Sequence, residues 1–316
     1  MHARTETYAG LQSVVLSGGG LAAVVLPDVG AKIVSLVSER TGREFIWRDP
    51  TRPLTVVAPG SSYADHDASG IDDCFPTVDA CAYPSAPFAG LFLGDHGDLW
   101  SRRWDAELDS EQAVFTVAGH TLPFTFEKRI RIDEATESLV VDNTISLSGS
   151  GPLAYQWTGH PLLRAEPGMI INLPHGTSAR TRFSTGGRLT VDDTQWRWPQ
   201  APSSDGGAQD VSVVGQPDDG LNEKYWLTAP DHGCVLDFPA TDEQLHVRFD
   251  PVALPYLAIC VNYGGWPEEN PGFWVAVEPS TSPYDSLAQT VSAGFGQEIW
   301  PGNTHRWTWS LHVTRR

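Results

Sequence analysis

The sequence is short of basic residues, and this shortage limits the partners that the protein can have. Of its 316 residues, 21 are Lys or Arg and 39 are Asp or Glu, which gives a formal net charge of −18. Nucleic-acid binding by phosphate neutralisation needs clustered Lys and Arg in excess, and docking on anionic lipid needs a basic face. The charge balance therefore predicts that the protein binds neither nucleic acid nor a membrane. Only Lys32, Lys128 and Lys224 are lysines, and we interpret this low number as a codon preference without functional meaning.

Cysteine and long apolar segments are also scarce. The four cysteines form no C-x-x-C pair and no dense pattern, which argues against a structural zinc site and against a disulfide framework. No apolar run approaches the roughly 20 residues that cross a bilayer, and the N-terminal residues lack the basic and then apolar pattern of a secretory signal. These absences predict a soluble, cytoplasmic protein.

Turn-forming residues and short alternating segments, in contrast, are abundant. The 30 Gly and 24 Pro separate runs in which apolar and polar residues alternate with the period of two that half-buried strands show. In the last run, the apolar residues from Trp307 to Val313 fall on one face. The best helical candidate, Tyr284–Ser292, is short, so the pattern predicts an all-β chain. Further strands are predicted at Leu21–Leu26, Lys32–Val37, Ala113–Ala118, Phe124–Ile132, Leu139–Leu147, Gln244–Phe249 and Tyr256–Val261.

We predict that residues 1–316 form a single domain, a large antiparallel β-sandwich. All-β units of roughly 200–250 residues commonly form one domain. The segment 198–220 is rich in Pro, Gly, Asp and Ser, but strand-like runs on both sides favour a long loop over a linker. The Gly-rich Ser17–Gly20 leads into a strand rather than a helix, so we predict a turn there and not a phosphate-binding loop.

Glu278 is the candidate base that the sequence singles out on physical grounds. It follows the run Phe273–Val277, whose apolar residues on both faces predict a central strand. Pro279 comes next, and it is predicted to end that strand because it cannot donate to a β-ladder. A carboxylate beside aromatic bulk loses solvation, which raises its pKa and its strength as a base. The alternative is that Glu278 faces water at the end of a strand.

His96 and His160 are candidates for proton transfer. His96 precedes Gly97, and His160 lies near the end of the apolar run Tyr155–Pro161. A single His near a strand end is usually a hydrogen-bonded structural residue. Two such residues together with a desolvated Glu, however, supply the groups for acid–base chemistry near neutral pH.

Acidic and His residues that also occur as metal ligands gather in segments 65–73 and 95–98. Their spacing matches neither a helix-borne His pair nor a calcium loop, and acidic residues in Gly-rich loops often cap backbone amides. We therefore expect no metal site. The sequence leaves open whether the acidic segment 65–73 binds substrate or a cation.

Several short motifs occur in the order found in the aldose 1-epimerase, or galactose mutarotase-like, superfamily. The chain resembles this superfamily along nearly its whole length, and the resemblance implies the superfamily's supersandwich fold, in agreement with the all-β pattern. Each motif is short, but their common order is specific for the superfamily. The matching segments are Ala22–Leu36 with Thr41–Glu44, Gly70–Pro76, His96-Gly97 with Trp104, Gly159–Pro161, Ala276–Pro279, and Gln297–Gly302 with the Trp-rich strand after it.

The resemblance implies an isomerase that needs no cofactor and interconverts the α and β anomers of a free aldose or a hexose 6-phosphate. By position in the motifs, Glu278 would be the general base, His160 the general acid, and His96 a second His that hydrogen-bonds the sugar near its ring oxygen. This mechanism needs a cationic His and an ionised Glu, which coexist at about pH 6–7 if the Glu has the lower pKa. We expect the three side chains to converge across one cleft, on opposite sides of a pyranose.

Several positions depart from the superfamily pattern and leave the identity of the sugar open. Asn222 stands where members often have an Asp that holds sugar hydroxyls. Trp100, with Arg102 close by, stands where an Arg commonly follows the His-Gly pair, and Asp72 and Asp73 replace apolar or Pro residues. We predict that all five residues bind the substrate. The acidic residues favour an unphosphorylated sugar, because buried carboxylates repel a phosphate.

Other functions remain open at this point. One alternative is a sugar-binding or regulatory protein, which would have the same pocket but no catalytic activity. Another is an epimerase that catalyses the same reaction on a modified or phosphorylated sugar. A lyase or hydrolase with the same fold usually carries extra helical domains, for which this chain has no room. Because a binding site does not need a desolvated base, Glu278 together with both His residues favours an enzyme. The sequence does not indicate the oligomeric state.

Overall fold

The computed structural model describes all residues, Met1–Arg316, and consists mainly of β-strands. Its only α-helix, α1, is Leu287–Ser292, and Tyr63–Asp65 forms a 3₁₀ turn. The strands, numbered in chain order, are β1 His2–Tyr8, β2 Leu11–Gly18, β3 Leu21–Leu26, β4 Lys32–Ser38, β5 Arg43–Glu44, β6 Ile71–Cys74, β7 Cys81–Ala82, β8 Phe92–Leu93, β9 Asp105–Leu108, β10 Ala113–Ala118, β11 Phe124–Asp133, β12 Ser138–Leu147, β13 Leu153–Tyr155, β14 Thr158–Arg164, β15 Ile170–Asn172, β16 Ser178–Thr185, β17 Trp196–Arg197, β18 Gln200–Pro202, β19 Ala208–Asp210, β20 Leu221–Thr228, β21 Cys234–Asp237, β22 Glu243–Phe249, β23 Tyr256–Tyr263, β24 Phe273–Ser280, β25 Gln297–Ile299 and β26 Thr304–Arg315.

The alternating runs of the sequence form strands, and the predicted all-β class is confirmed. Each of the seven predicted runs lies within one strand, from β3 near the start to β23 near the end. In β26, the apolar residues from Trp307 to Val313 are buried and the residues between them are exposed or half-buried. The Gly-rich turn at Ser17–Gly20 joins β2 to β3 in a hairpin, with three successive Gly residues at positive φ.

Two large antiparallel sheets pack against one another. The larger sheet has the strand order β1-β2-β3-β4-β6-β14-β24-β23-β20-β16-β17-β18-β19, with β5 paired to β4, and the smaller has the order β15-β21-β22-β26-β12-β11-β10-β9. One cluster of 64 buried apolar residues draws members from both sheets, so the two sheets share a single core. The predicted antiparallel β-sandwich is therefore confirmed. No helix in the structure has the length and apolar character needed to span a bilayer.

The predicted helix and the predicted long loop differ from the structure in detail. The helix begins only at Leu287, because Ser286 is its N-cap and its hydroxyl accepts a hydrogen bond from the Gln289 amide. Residues 284 and 285 consequently stay in the preceding loop. Segment 198–220 is not a plain loop, since β18 and β19 form a small hairpin there that extends the larger sheet.

The strand that carries Glu278 is central, as predicted, but it does not end at Pro279. β24 lies between β14 and β23 and continues to Ser280. The ladder between β14 and β24 is interrupted between the pairs Thr158–Ser280 and Leu162–Ala276. Pro279 falls in this interruption, where the hydrogen bond that it cannot donate is not required.

Side-chain alternation gives the larger sheet two different faces. In β20, Tyr225 and Leu227 enter the core, so Lys224 and Trp226 point to the opposite face. In β24, Val275 and Val277 enter the core in the same way, and Glu278 therefore also lies on the opposite face. This second face carries the candidate site.

Candidate active site

A cavity of about 420 Å³ lies on the face of the larger sheet that points away from the core. Side chains from β14, β16, β20, β23 and β24 line it, together with residues around Tyr63 and His96. Glu278, His160, His96 and Asn222, which are far apart in the sequence, all line this one cavity.

Glu278 reaches the cavity as a fully buried carboxylate. Its Oε2 atom is 2.8 Å from Lys224 Nζ, and its Oε1 atom is 4.0 Å from His160 Nε2. Burial raises the pKa of Glu278 above its ordinary value of 4.5, and the positive charge of Lys224 limits the rise. Neither oxygen accepts a well-directed hydrogen bond, so the carboxylate retains capacity for the proton of a hydroxyl group.

His160 faces Glu278 from β14, at the interruption between β14 and β24. Its Nδ1 atom is 3.5 Å from the hydroxyl of Tyr63, and its Nε2 atom points towards Glu278. Burial lowers the pKa of His160 well below its ordinary value of 6.5, and positive charge on His96 and Lys224 lowers it further. His160 is therefore neutral at neutral pH in the free protein, whereas the sequence-based mechanism assumed a cationic acid.

His96 is held in place by both its backbone and its ring. Its φ of 59° is unusual for a residue other than Gly, and Gly97 follows at a φ of 75°. A Cβ atom on residue 97 would lie 2.0 Å from the carbonyl oxygen of Phe75, which explains the Gly. The His96 Nδ1 atom is 2.8 Å from Asp95 Oδ1, and its ring centre is 5.0 Å from that of His160.

Tyr63 connects the two His residues and was not identified from the sequence. Its ring stacks on His96 with 3.8 Å between ring centres, and its hydroxyl donates to Asp72 at 3.1 Å. Asp72 is in turn 3.1 Å from Lys32. Asp72 thus supports Tyr63 from behind and does not line the cavity. No local sequence pattern marks Tyr63, because the 3₁₀ turn that carries it meets the His residues only in the folded chain.

A row of alternating charges extends from Glu278 across the cavity. Lys224 Nζ is 2.8 Å from both Glu278 and Asp285, and Arg182 lies 2.9 Å from both Asp285 and Asp79. Burial by itself would lower the pKa of Lys224, but the charges of Asp285 and Glu278 raise it well above 10.5. Each cation of the row is therefore compensated by two carboxylates.

The three lysines of the chain are all buried, which contradicts our interpretation of their low number as functionally neutral. Lys224 contacts the candidate base, and Lys32 contacts Asp72 behind the His residues. Lys128 is buried in the core beside Asp73. The sequence showed only that lysine is rare, and the burial of all three side chains became visible in the structure.

One wall of the cavity consists of aromatic side chains and the side-chain amide of an Asn residue. Phe183, Trp266 and Trp274 line this wall beside Asn222. The Asn222 side-chain oxygen is buried and has no hydrogen-bond partner in the protein. Of the five residues predicted to bind the substrate, only Asn222 lines the cavity. Its side-chain oxygen is available to accept a hydrogen bond from a ligand.

Asp73, Trp100 and Arg102 do not line the cavity. Asp73 points into the core, where it lies 2.5 Å from Lys128 Nζ and accepts a hydrogen bond of 2.9 Å from Trp157. Adjacent residues of a strand face opposite sides, which explains why Asp73 and Asp72 are separated. The Trp100 indole donates to the Asp95 carbonyl, and the Arg102 guanidinium lies 3.6 Å from Asp98. These three residues have structural contacts in place of the sugar contacts that the motifs predicted.

Replacement of Asp73 by Ala is expected to destabilise the fold by about 3–5 kcal/mol, because it leaves the Lys128 charge buried without its partner. The measurement is the free energy of unfolding from a denaturant titration, with Asp218→Ala, which changes an exposed carboxylate, as the control. A loss of sugar binding at unchanged stability would instead support the substrate contact predicted from the sequence.

The acidic segment 65–73 forms no cluster of metal ligands. Asp67 and Asp72 pair with Lys32, which compensates them. The three residues that could hold a metal ion are instead Cys74, His96 and His160, whose ligand atoms lie within 4.8 Å of one another. Burial raises the pKa of the Cys74 thiol well above 9.0.

Comparison with solved structures identifies the fold. A galactose mutarotase-like protein from Clostridium acetobutylicum gives a TM-score of 0.68 at 12% identity and covers 100% of this chain and 99% of its own. A galactose mutarotase related enzyme from Lactobacillus acidophilus gives 0.65 at 15% identity, covering 96% and 97%. A protein from Escherichia coli K12, provisionally described as an aldose 1-epimerase, gives 0.67 at 16% identity, covering 96% and 98%.

The chain has the galactose mutarotase-like fold over its full length, and the fold that the motifs implied is confirmed. No family model and no curated protein matched the sequence. At 12–16% identity the similarity defines the fold alone.

Proposed function

We propose that the protein is an aldose 1-epimerase that exchanges the α and β anomers of an unphosphorylated sugar. The observation that carries the proposal is the convergence of Glu278, His160 and His96 on one cavity, with Glu278 Oε1 and His160 Nε2 4.0 Å apart. The anomeric hydroxyl and the ring oxygen of a pyranose are both bonded to C1. The spacing therefore suits an acid and a base on the same edge of the ring, not on opposite sides as we expected from the sequence.

In this mechanism Glu278 accepts the proton of the anomeric hydroxyl while His160 delivers a proton to the ring oxygen. The bond between C1 and the ring oxygen breaks, and an open-chain aldehyde forms. Rotation about the C1–C2 bond presents the other face of the carbonyl, and the same groups act in reverse to close the other anomer. His96, oriented by Asp95 and Tyr63, hydrogen-bonds the sugar near the ring oxygen. A positioned acid or base contributes about 10²–10⁴-fold to such a rate.

Charge compensation in the cavity supports a neutral sugar. Lys224 and Arg182 are its only Lys and Arg side chains, and each already contacts two carboxylates. A phosphate would have to displace a carboxylate from one of them, at a cost in electrostatic free energy. The rings of Trp266 and Trp274 offer apolar area for the C–H face of a pyranose.

The proposal is tested by anomer exchange, measured by two-dimensional exchange NMR on glucose, galactose and their 6-phosphates. We expect the protein to accelerate exchange of at least one neutral aldose and to leave the 6-phosphates at the uncatalysed rate. If no aldose exchanges faster, the protein is not an epimerase, and a binding function takes its place.

The rate of exchange is expected to rise and then fall as pH increases, because the mechanism needs both an ionised Glu278 and a protonated His160. Activity needs protonated His160, so it is lost as pH rises through a pKa that lies below 6.5. Activity also needs ionised Glu278, so it is lost as pH falls through a pKa that lies above 4.5. The measurement is the ratio of catalysed to uncatalysed exchange across pH, and a maximum above pH 7 would contradict the assignment of His160 as the acid.

A further inference from the structure

A second depression, of about 470 Å³, lies on the same face of the larger sheet as the catalytic cavity. Four aromatic residues line it, namely Trp226, Tyr256, Tyr284 and Phe295. Phe295 has 39% of its surface exposed, although most large apolar residues of the chain are buried. The proposed mechanism gives no role to any of these four residues.

The strand register places this depression next to the candidate base. Ala258 of β23 pairs with Glu278 on one side and with Trp226 on the other. Neighbouring strands are about 4.8 Å apart, so the backbones of Glu278 and Trp226 lie roughly 10 Å from one another. The side chain of Lys224 links the two sites, because its Nζ atom contacts Glu278 and lies 5.2 Å from the centre of the Trp226 ring.

A smaller depression of about 220 Å³ connects the two. It shares Arg182 with the catalytic cavity, and it shares Arg180 and Tyr284 with the second depression. A bulge in β16 between Thr181 and Phe183 interrupts the alternation of side chains at Arg182, and both Arg180 and Arg182 line the smaller depression. We refer to the three depressions, which share these lining side chains between Glu278 and Phe295, as the cleft.

The side chains around the second depression suit a carbohydrate ring. Aromatic faces pack against the C–H groups of a sugar, and a few convergent polar groups bind its hydroxyls. Arg180 lies 4.8 Å over the Tyr284 ring and 3.1 Å from the fully exposed Asp193. Gln195 and Gln289 add amide donors and acceptors at the same depression.

We propose that the second depression is a sugar subsite, and that the protein acts on the reducing end of a di- or oligosaccharide. This inference rests on the proposed epimerase function of the cavity. The terminal ring, which carries the free anomeric carbon, occupies the cavity at Glu278. The next ring lies beyond Arg182 and packs on Tyr284 and Phe295. The substrate class is a neutral reducing oligosaccharide, because Arg180 and Arg182 are both paired with carboxylates.

The test compares exchange rates for monosaccharides (glucose and galactose) and reducing disaccharides (maltose, cellobiose and lactose). We expect kcat/KM for at least one disaccharide to exceed that of its reducing-end monosaccharide. The variant Phe295→Ala is expected to lower this ratio about tenfold, which corresponds to about 1.4 kcal/mol of lost stacking. Trp300→Ala, which removes a half-exposed aromatic ring outside the cleft, is the matched control and should leave the ratio unchanged.

Equilibrium binding of the same disaccharides, measured by calorimetry, separates this inference from the epimerase proposal because it needs no turnover. Disaccharide binding that weakens in Phe295→Ala but not in Trp300→Ala supports the subsite even if no sugar exchanges. Equal affinities in the wild type and in both variants, or a disaccharide preference that Phe295→Ala leaves intact, would overturn the subsite even if glucose exchanges rapidly.

Discussion

Replacement of Glu278 by Gln is expected to lower the rate of anomer exchange by about 10²–10⁴-fold. The amide has nearly the size of the carboxylate and keeps the shape of the cavity, but it cannot accept the anomeric proton. The free energy of unfolding should change much less than the rate, because Asp285 remains 2.8 Å from Lys224 and still compensates its charge. The measurement is exchange NMR on freshly dissolved α-glucose or α-galactose, with thermal unfolding recorded in parallel.

Two further variants make this experiment decisive. Glu298→Gln is the same chemical change at an exposed position of β25 and should exchange at the wild-type rate. His160→Asn removes the proposed acid and should reduce exchange to a similar extent as Glu278→Gln. If Glu278→Gln and His160→Asn both exchange anomers at the wild-type rate, the proposed mechanism is wrong, because neither proton transfer then depends on these groups.

Replacement of Lys224 by Met is expected to affect stability and catalysis together. It leaves the buried carboxylates of Glu278 and Asp285 without the cation between them, and breaking such a buried pair costs about 3–5 kcal/mol. The pKa of Glu278 should rise further, because the charge that opposes its desolvation is lost and the repulsion of Asp285 remains. The acidic limb of the pH–rate profile should consequently move to higher pH.

Lys224→Arg is the matched variant, since it retains the positive charge. We expect it to recover most of the stability and to return the acidic limb towards its wild-type position. The measurements are denaturant unfolding and the full pH profile of exchange for both variants. If Lys224→Met loses stability while the acidic limb stays in place, Lys224 has only a structural role and does not control the protonation of Glu278.

Patterns along a single strand could be predicted well from the sequence. The period of two in β26 and the apolar run before Glu278 depend on local residue order, and both were recovered. The collinear motifs also predicted that Glu278, His160 and His96 lie close together, and all three line one cavity. This prediction was possible because each motif has a fixed place in the fold. The end of β24 was misjudged, since only the interrupted pairing with β14 explains why Pro279 is tolerated there.

Contacts between distant elements could not be predicted in this way. Asp72 and Asp73 share a motif, yet strand alternation sends one towards Tyr63 and the other towards Lys128. The ion pair between Lys224 and Asp285 joins β20 to the loop after β24, and no spacing rule connects residues so far apart. Whether an ionic group is buried depends on how the complete sheets pack together. Short linear motifs carry no information about this packing.

The protonation of Lys224 has a chemical consequence for the aldehyde that ring opening would produce. Aldehydes condense with neutral amines to give imines, and Lys224 Nζ lies beside the carboxylate where C1 would react. Burial alone would favour the neutral amine, but Asp285 and Glu278 keep it as an ammonium ion with no lone pair for attack. Lys32 and Lys128 are also buried, so the chain has no exposed lysine for a reducing sugar to glycate. An open-chain aldehyde formed at Glu278 would therefore meet no neutral lysine amine with which to form a covalent adduct.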